Sequence, residues 1–89
     1  MTRWTVEFDR RGKKEFLAIK DMRLARRIRE AIHALADDPR PPGCRKLEGR
    51  ENAWRVRVGT WRVIYQIEED RVVVVVVVVR VAPRGEVYW

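Results

Sequence analysis

Three arginines in one short segment carry the strongest chemical signal in this chain. The segment WRVRVGTWRVIY, residues 54–65, alternates apolar and basic residues on both sides of a Gly-Thr pair. Alternation of this kind is typical of a half-buried strand, and a two-residue loop that begins with glycine joins antiparallel strands in a tight hairpin. The sequence therefore predicts a hairpin that carries Arg55, Arg57 and Arg62 on one face.

The predicted register places two of these arginines side by side. With Gly-Thr as a two-residue turn, Arg57 faces Arg62 directly, and Arg55 faces Ile64. Like charges directly opposite each other on a sheet are destabilising. An anion placed between them would offset that cost, and phosphate suits the planar, two-pronged guanidinium group best. We therefore predict that this face binds phosphate.

Size and charge narrow the possible partners. The chain has 89 residues, 46% of them hydrophobic and four of them tryptophan, which predicts a single globular domain over residues 1–89. The formal net charge is +7 and the pI is near 10.5. So large a positive charge on so small a domain points to nucleic acid or to an acidic protein as the partner.

Other classes of protein are disfavoured. The chain has one cysteine, Cys44, and one histidine, His33, too few for the usual zinc sites, and we predict no metal and no cofactor. The valine block Val72–Val79 is too short to cross a bilayer as a helix. We expect no signal peptide, because the N-terminal residues have the pattern of a charged strand. The sequence thus predicts a cytoplasmic protein without membrane contact.

The remaining elements must position the hairpin. Residues 2–8 alternate like a first strand, and Asp9 is a suitable N-cap for a helix over residues 10–20. A second helix is predicted over residues 22–37, ending before Pro39. The predicted apolar stripes of the two helices are Phe16, Leu17 and Ile19, and Leu24, Ile28, Ala31, Ile32 and Leu35.

The valine block predicts the last strand. Eight consecutive valines favour a central strand buried on both faces. If Glu69 and Asp70 form a two-residue turn before it, Arg62 lies opposite Val77 and the arginines border an apolar floor. The predicted fold is α+β with the order β-α-α-β-β-β, a helical hairpin on one face of an antiparallel sheet.

These features together resemble the RelE/ParE superfamily, the small toxins of bacterial toxin–antitoxin pairs. The resemblance spans nearly the whole chain, and it rests on the order and spacing of motifs that are individually weak. The motifs are the opening WTVEF, the helical hairpin, the loop DPRPPGCRKLEG, the segment WRVRVGTWRVIYQI and the tail PRGEVYW.

The resemblance implies a set of site residues. RelE-type members are ribosome-dependent endoribonucleases that cut mRNA, using basic residues on the sheet and a tyrosine near the C-terminus. Arg55 and Arg57 match the two basic strand positions, which are lysines in the best-known members, and Arg62 matches the arginine of the next strand. Tyr88 matches the tyrosine, and Arg84 matches an arginine four residues before it.

The chain also departs from the family pattern. Some RelE-type enzymes carry a catalytic arginine six residues before the tyrosine, where this chain has Ala82, and others carry a histidine where it has Pro83. We also expect the C-terminal helix of many members to be missing. These departures keep two alternatives open, a ParE-like toxin that inhibits DNA gyrase without cutting RNA, and an RNA-binding or decayed toxin without activity.

RNA cleavage at such a site needs a group that can take a proton. Arginine stays protonated at working pH, so it can stabilise a phosphate but cannot act as the base. Tyr88 is then the candidate acid or base, with a pKa lowered by the surrounding arginines, although stacking on a nucleobase is an equally plausible role. The resemblance implies the ribosome with its mRNA, and an acidic antitoxin, as partners.

Overall fold

The computed structural model describes residues 5–69 and 74–83, and the elements below lie within them. The helices are α1 (Arg10–Leu17) and α2 (Met22–Ala34). The strands are β1 (Thr5–Phe8), β2 (Arg45–Lys46), β3 (Ala53–Val58), β4 (Trp61–Glu69) and β5 (Val74–Pro83). The predicted α+β architecture is confirmed, with one addition, the two-residue strand β2 between the helices and the hairpin.

Each helix begins at an aspartate. The carboxylate of Asp9 accepts a hydrogen bond from the backbone N–H of Gly12 at 2.7 Å, which confirms the predicted N-cap. Asp21 caps α2 in the same way, accepting from the N–H groups of Arg23 and Leu24. An N-cap residue has extended backbone, so α1 must end before Asp21, and it ends at Leu17 rather than at residue 20.

The second helix is also shorter than predicted. It ends at Ala34, and the next three residues form tighter turns in which each N–H bonds the carbonyl three residues earlier, as from Leu35 to Ile32 and from Asp37 to Ala34. Such tightening is common in a last turn. It comes just before Pro39, which disfavours helix in the residue that precedes it.

The five strands form one sheet in the order β1-β5-β4-β3-β2. The neighbours from β2 to β5 are antiparallel, whereas β1 runs parallel to β5. The valine-rich strand β5 therefore lies inside the sheet, between β1 and β4, as predicted. It continues to Pro83, so Ala82 and Pro83 belong to the sheet and not to a tail.

A bulge in β5 changes its register against β4. Tyr65 pairs with Val78 but Ile64 pairs with Arg80, so the backbone of Val79 is an extra residue in the ladder. The predicted pairing of Arg62 with Val77 is wrong, because Arg62 pairs with Ala82. Two features that the valine pattern does not encode cause the difference. Glu69 already pairs with Val74 across a longer connection, and the bulge adds one residue more.

One face of the sheet packs against the helices. The buried cluster joins residues of α2 and of the turn after it to residues of β3, β4 and β5, and its members are Ile28, Ile32, Leu35, Val58, Val63, Tyr65, Ile67 and Val81. Phe16 and Ile19 pack against the edge of this cluster, as predicted. Leu17 was expected in the same stripe but is 69% exposed, since α1 ends there.

Some expectations fall outside the described residues. They concern the start of the first strand with Trp4, the burial of the valine side chains, and the tail with Arg84 and Tyr88. Among the described helices, none is long and apolar enough to cross a membrane.

Candidate functional site

The hairpin between β3 and β4 has the predicted register. Val58 pairs with Trp61, Arg57 with Arg62, and Arg55 with Ile64. Gly59 opens the turn with φ of +60°, a left-handed conformation that glycine adopts without strain. The tight turn fixes the pairing, and the pairing places the three predicted arginines on the face opposite the helices.

A fourth arginine joins them through the short strand β2. Arg45 pairs with Arg55 across the β2–β3 ladder, so both side chains lie on the same face. We call the four residues Arg45, Arg55, Arg57 and Arg62 the arginine face. Sequence reasoning missed Arg45, because two residues are too few to show alternation. The available signal was its position in the basic pair Arg45-Lys46 just before the hairpin.

Accessibility differs along this face. Arg45 and Arg57 are exposed, whereas Arg55 and Arg62 are half-buried. The Nε atom of Arg62 is shielded from solvent. A guanidinium in such surroundings is less well hydrated than one in bulk water, which strengthens its interaction with an anion that comes into contact with it.

The apolar residues beside the arginines are not the predicted ones, since Val77 does not lie opposite Arg62. Ile64 lies between Arg55 and Arg80 in the cross-strand row, and Ala82 lies beside Arg62. Both apolar residues are buried, Ile64 to 3% exposure and Ala82 to 5%. Apolar side chains therefore pack beside the half-buried arginines, but they come from other positions than predicted and they are not exposed.

Two hollows open along this face and share one arginine. The larger, of about 410 Å³, is lined by Pro42, Gly43, Arg45, Arg55, Val56 and Arg57. The smaller, of about 70 Å³, lies beside the hairpin turn and is lined by Arg57, Gly59, Thr60, Trp61 and Arg62. Arg57 thus stands between two concave basic surfaces, an arrangement that can hold two neighbouring anionic groups.

The described part of the sheet also contains one lysine. Lys46 lies in β2 and pairs with Trp54. Since side chains alternate along a strand, Lys46 lies on the face opposite Arg45. Among the described strands, the arginine face therefore contains no lysine.

A tyrosine near the hairpin has a structural role. The hydroxyl of Tyr65 donates a hydrogen bond of 2.7 Å to the carbonyl oxygen of Pro39, and the side chain is fully buried. Burial, with smaller contributions from Cys44, raises the pKa of Tyr65 well above its ordinary value. A buried phenol that holds its proton so firmly cannot serve as a base for a substrate on the opposite face.

Two predicted site residues, Arg84 and Tyr88, lie outside the residues that the structure describes. Arg84 and Tyr88 lie beyond the described part of β5, so the structure does not test their proximity to the arginine face. Within residues 5–69 and 74–83, no group of three or more His, Cys, Asp or Glu side chains is placed to hold a metal ion. The arrangement can bind and neutralise phosphates, and the group that moves a proton stays a prediction.

Comparison with known proteins identifies the family. The family model described as the ParE toxin of the type II toxin–antitoxin system parDE matches residues 3–88. No curated protein matches the chain.

Several solved structures share the fold. In the archaeal RelE–RelB complex from Pyrococcus horikoshii, the similar chain is 27% identical with a TM-score of 0.75, and the match covers 98% of this chain and 100% of that one. In the RelBE2 toxin–antitoxin complex of Mycobacterium tuberculosis, identity is 27%, the TM-score is 0.70 and the covered shares are 92% and 99%. The isolated E. coli RelE toxin is 25% identical, with a TM-score of 0.76 over 96% and 90% of the two chains.

The family model spans nearly the whole chain, and the structural matches are equally extensive. The predicted resemblance is thereby confirmed: the chain belongs to the ParE toxin family of the RelE/ParE superfamily and is a toxin of a type II toxin–antitoxin system.

Proposed function

We propose that this toxin is a RelE-like endoribonuclease that cleaves mRNA on the ribosome in the cytoplasm. The observation that carries the proposal is the cross-strand pair of Arg57 and Arg62, with Arg55 on the same face. Like charges directly opposite each other on a sheet repel, and an anion that binds both guanidinium groups offsets that repulsion. The phosphodiester backbone of RNA supplies that anion.

The arginine face suits one part of the cleavage reaction well. The 2′-oxygen of the RNA attacks the adjacent phosphorus, the bond from phosphorus to the 5′-oxygen breaks, and the products are a 2′,3′-cyclic phosphate and a 5′-hydroxyl. The pentacoordinate phosphate carries extra negative charge, which Arg57 and Arg62 stabilise with charge-assisted hydrogen bonds. The half-buried Arg62 contributes most strongly, because water screens it least.

Proton transfer needs residues outside the described strands. We assign it to Tyr88, which takes the proton from the 2′-hydroxyl or gives one to the leaving 5′-oxygen. Arg84 neutralises the charge that develops on the leaving oxygen or clamps the phosphate. The remaining rate enhancement comes from holding the RNA for in-line attack, to which the ribosome contributes. The mechanism involves neither metal nor cofactor.

The proposed regulatory partner is an acidic antitoxin. The toxin carries a net charge of +7, and an acidic, partly disordered chain could wrap such a surface and cover the arginine face. Similar structures from Pyrococcus horikoshii and Mycobacterium tuberculosis are toxin–antitoxin complexes, which supports a protein antitoxin for this toxin.

A second candidate function is inhibition of DNA gyrase without RNA cleavage. Two observations favour it. The matching family model is that of the ParE toxin, and Ala82 occupies the position beside Arg62 where some RelE-type enzymes carry an arginine. In this alternative, the arginine face binds the antitoxin or the target protein.

Alanine substitutions distinguish the two functions. We expect Arg57→Ala and Arg62→Ala to abolish growth inhibition and to reduce mRNA cleavage by about a hundredfold or more, by analogy with the loss of one donor to a transition-state oxyanion. Lys46→Ala, which removes an exposed cation from the other face of the same sheet, should leave both unchanged. Circular dichroism verifies that each variant folds. Intact mRNA together with inhibited gyrase supercoiling would favour the gyrase candidate, and toxicity that survives in both arginine variants would place the target contact outside the arginine face.

A further inference from the structure

Arg45 occupies a fixed position at the edge of the arginine face. The N–H of Leu47 bonds the carbonyl of Ala53 at 2.9 Å, which holds β2 against β3. On the other side of Arg45, the N–H of Cys44 bonds the carbonyl of Pro41 at 3.0 Å and closes a turn. Hydrogen bonds on both sides thus hold Arg45 beside Arg55, although the strand has only two residues.

The charge around Arg45 is not neutralised within the described part of the chain. No carboxylate there pairs with Arg45, Arg55 or Arg57. The buried Arg80, by contrast, has the carboxylate of Glu15 as its partner. The paired side chains of Arg45 and Arg55 point from the same face at a separation of about 5 Å between their Cβ atoms. The like charges of Arg45 and Arg55 therefore repel each other, and an anion bound between them offsets that repulsion.

The larger hollow joins this pair to the proposed catalytic arginines. Within the described residues, its lining contains three arginines and no acidic residue, and the other lining residues are Pro42, Gly43 and Val56. Arg57 belongs to both hollows, so a strand that places one phosphate between Arg57 and Arg62 extends its next phosphate toward Arg45 and Arg55. The two hollows thus share Arg57, and each of them has at least one further arginine in its lining.

We propose that Arg45, with Arg55, binds the phosphodiester next to the one that is cleaved, and so positions the mRNA strand for reaction. The proposal rests on the proposed ribonuclease function and adds a residue and a second phosphate to it. Arg45 is a positioning residue in this role, since it contacts a phosphate that does not react. Arginine is suited to the role because its planar fork can bond two phosphate oxygens at once.

The test compares the loss of the Arg45 side chain, the loss of the charge on one mRNA phosphate, and the loss of both. The mRNA carries a 2′-deoxy nucleotide at the cleavage position, so that binding to programmed ribosomes is measured without cleavage. A neutral methylphosphonate replaces one linkage at a time on either side of that position. Dissociation constants are measured for the wild type, Arg45→Ala, Arg57→Ala and the matched control Lys46→Ala, which removes the neighbouring exposed cation from the opposite face.

We expect Arg45→Ala to weaken binding by about fivefold to tenfold and Lys46→Ala by less than about twofold. At one linkage beside the cleavage position, the methylphosphonate should weaken binding of the wild type and of Lys46→Ala by about the same factor as Arg45→Ala does. The same methylphosphonate should not weaken binding of Arg45→Ala any further. If the loss of affinity from Arg45→Ala and the loss from the methylphosphonate multiply at every linkage tested, Arg45 contacts none of these phosphates and the inference is overturned. An equal loss for Arg45→Ala on ribosomes without mRNA would also overturn it, because the contact would then be to ribosomal RNA.

The same data separate this inference from the proposed function. Binding that depends on Arg57 but not on Arg45 would overturn only the second phosphate subsite. Absence of binding by the wild type to programmed ribosomes would overturn the ribonuclease proposal, and the role of Arg45 in it.

Discussion

Glu15 of α1 binds Arg80 near the end of β5 through two hydrogen bonds. The Nε and Nη2 atoms of Arg80 donate to the two carboxylate oxygens at 2.8 and 3.0 Å. The same carboxylate accepts from the backbone N–H of Val81 at 3.1 Å. Strand β1 ends opposite Val78, so Glu15 provides the acceptor that a longer β1 would otherwise supply to the edge of β5. This contact fixes the strand that leads into the C-terminal residues.

We therefore predict that Glu15→Ala destabilises the fold. Arg80 is only 5% exposed, and removing a carboxylate that accepts two hydrogen bonds from a buried charge costs about 3 kcal/mol. Urea unfolding of the wild type and the variant measures the difference in free energy. Glu30→Ala, which removes an exposed carboxylate from α2, is the control and should change stability by no more than about 0.5 kcal/mol. Equal stability of the wild type and Glu15→Ala would refute a structural role for the pair.

The buried hydroxyl of Tyr65 predicts a pH-dependent stability. Tyr65→Phe should lower the free energy of unfolding by about 1 to 2 kcal/mol at pH 7, because the carbonyl of Pro39 loses its donor. The folded state raises the pKa of Tyr65, so the stabilisation by the protonated hydroxyl is complete below the unfolded pKa, about 10. It declines as the pH rises above that value, by about 1.4 kcal/mol per pH unit.

Unfolding curves at several pH values test this prediction. The wild type should lose stability above about pH 10 more steeply than Tyr65→Phe, and the difference between them should narrow. Comparison of the two proteins cancels the contributions of the other titrating groups. Parallel curves over that range would show that the fold does not favour the protonated form of Tyr65.

The turn at Gly59 predicts a preference among substitutions. An added Cβ would lie 3.6 Å from the nearest atom, a guanidinium nitrogen of Arg27, so space is sufficient. The φ of +60° is nevertheless unfavourable for alanine, and Gly59→Ala should cost about 1 to 2 kcal/mol. Asparagine tolerates this conformation better, so Gly59→Asn should cost less. Thermal unfolding of the two variants measures the order, and an equal loss in both would indicate steric rather than conformational strain.

The pairing of β3 with β4 could be predicted residue by residue from the sequence, whereas the register between β4 and β5 could not. A two-residue turn fixes the pairing of every later residue, and hence the pairing of Arg57 with Arg62. The register between β4 and β5 depends on the connection after Glu69 and on the bulge at Val79. A run of identical valines gives no alternation from which either could be read.

The sequence predicted the site residues that lie in strands long enough to show alternation of apolar and basic residues. Arg55, Arg57 and Arg62 follow from the pattern of a six-residue and a nine-residue strand. Arg45 does not, because the two residues of β2 form a strand only through pairing with β3. The exposure of Leu17 was missed for a similar reason, since the N-cap at Asp21 requires that α1 end early.

The proposed role of Tyr88 predicts a sharp loss of activity on removal of its hydroxyl. Tyr88→Phe should lower the cleavage rate on the ribosome by about a hundredfold or more, which is the usual contribution of a general acid or base. Single-turnover cleavage of a programmed mRNA measures the rate. Full activity in Tyr88→Phe combined with a loss in Tyr88→Ala would assign the residue to base stacking instead.

The most direct test of the proposed ribonuclease function is a map of mRNA 5′ ends after purified toxin is added to a translating bacterial extract. Primer extension locates the cuts, and a parallel sample of the same mRNA without ribosomes is the control. We expect new 5′ ends at codon positions only when ribosomes are present, and none with Arg62→Ala. Intact mRNA in the translating extract, with gyrase supercoiling inhibited by the same toxin, would contradict the proposed function.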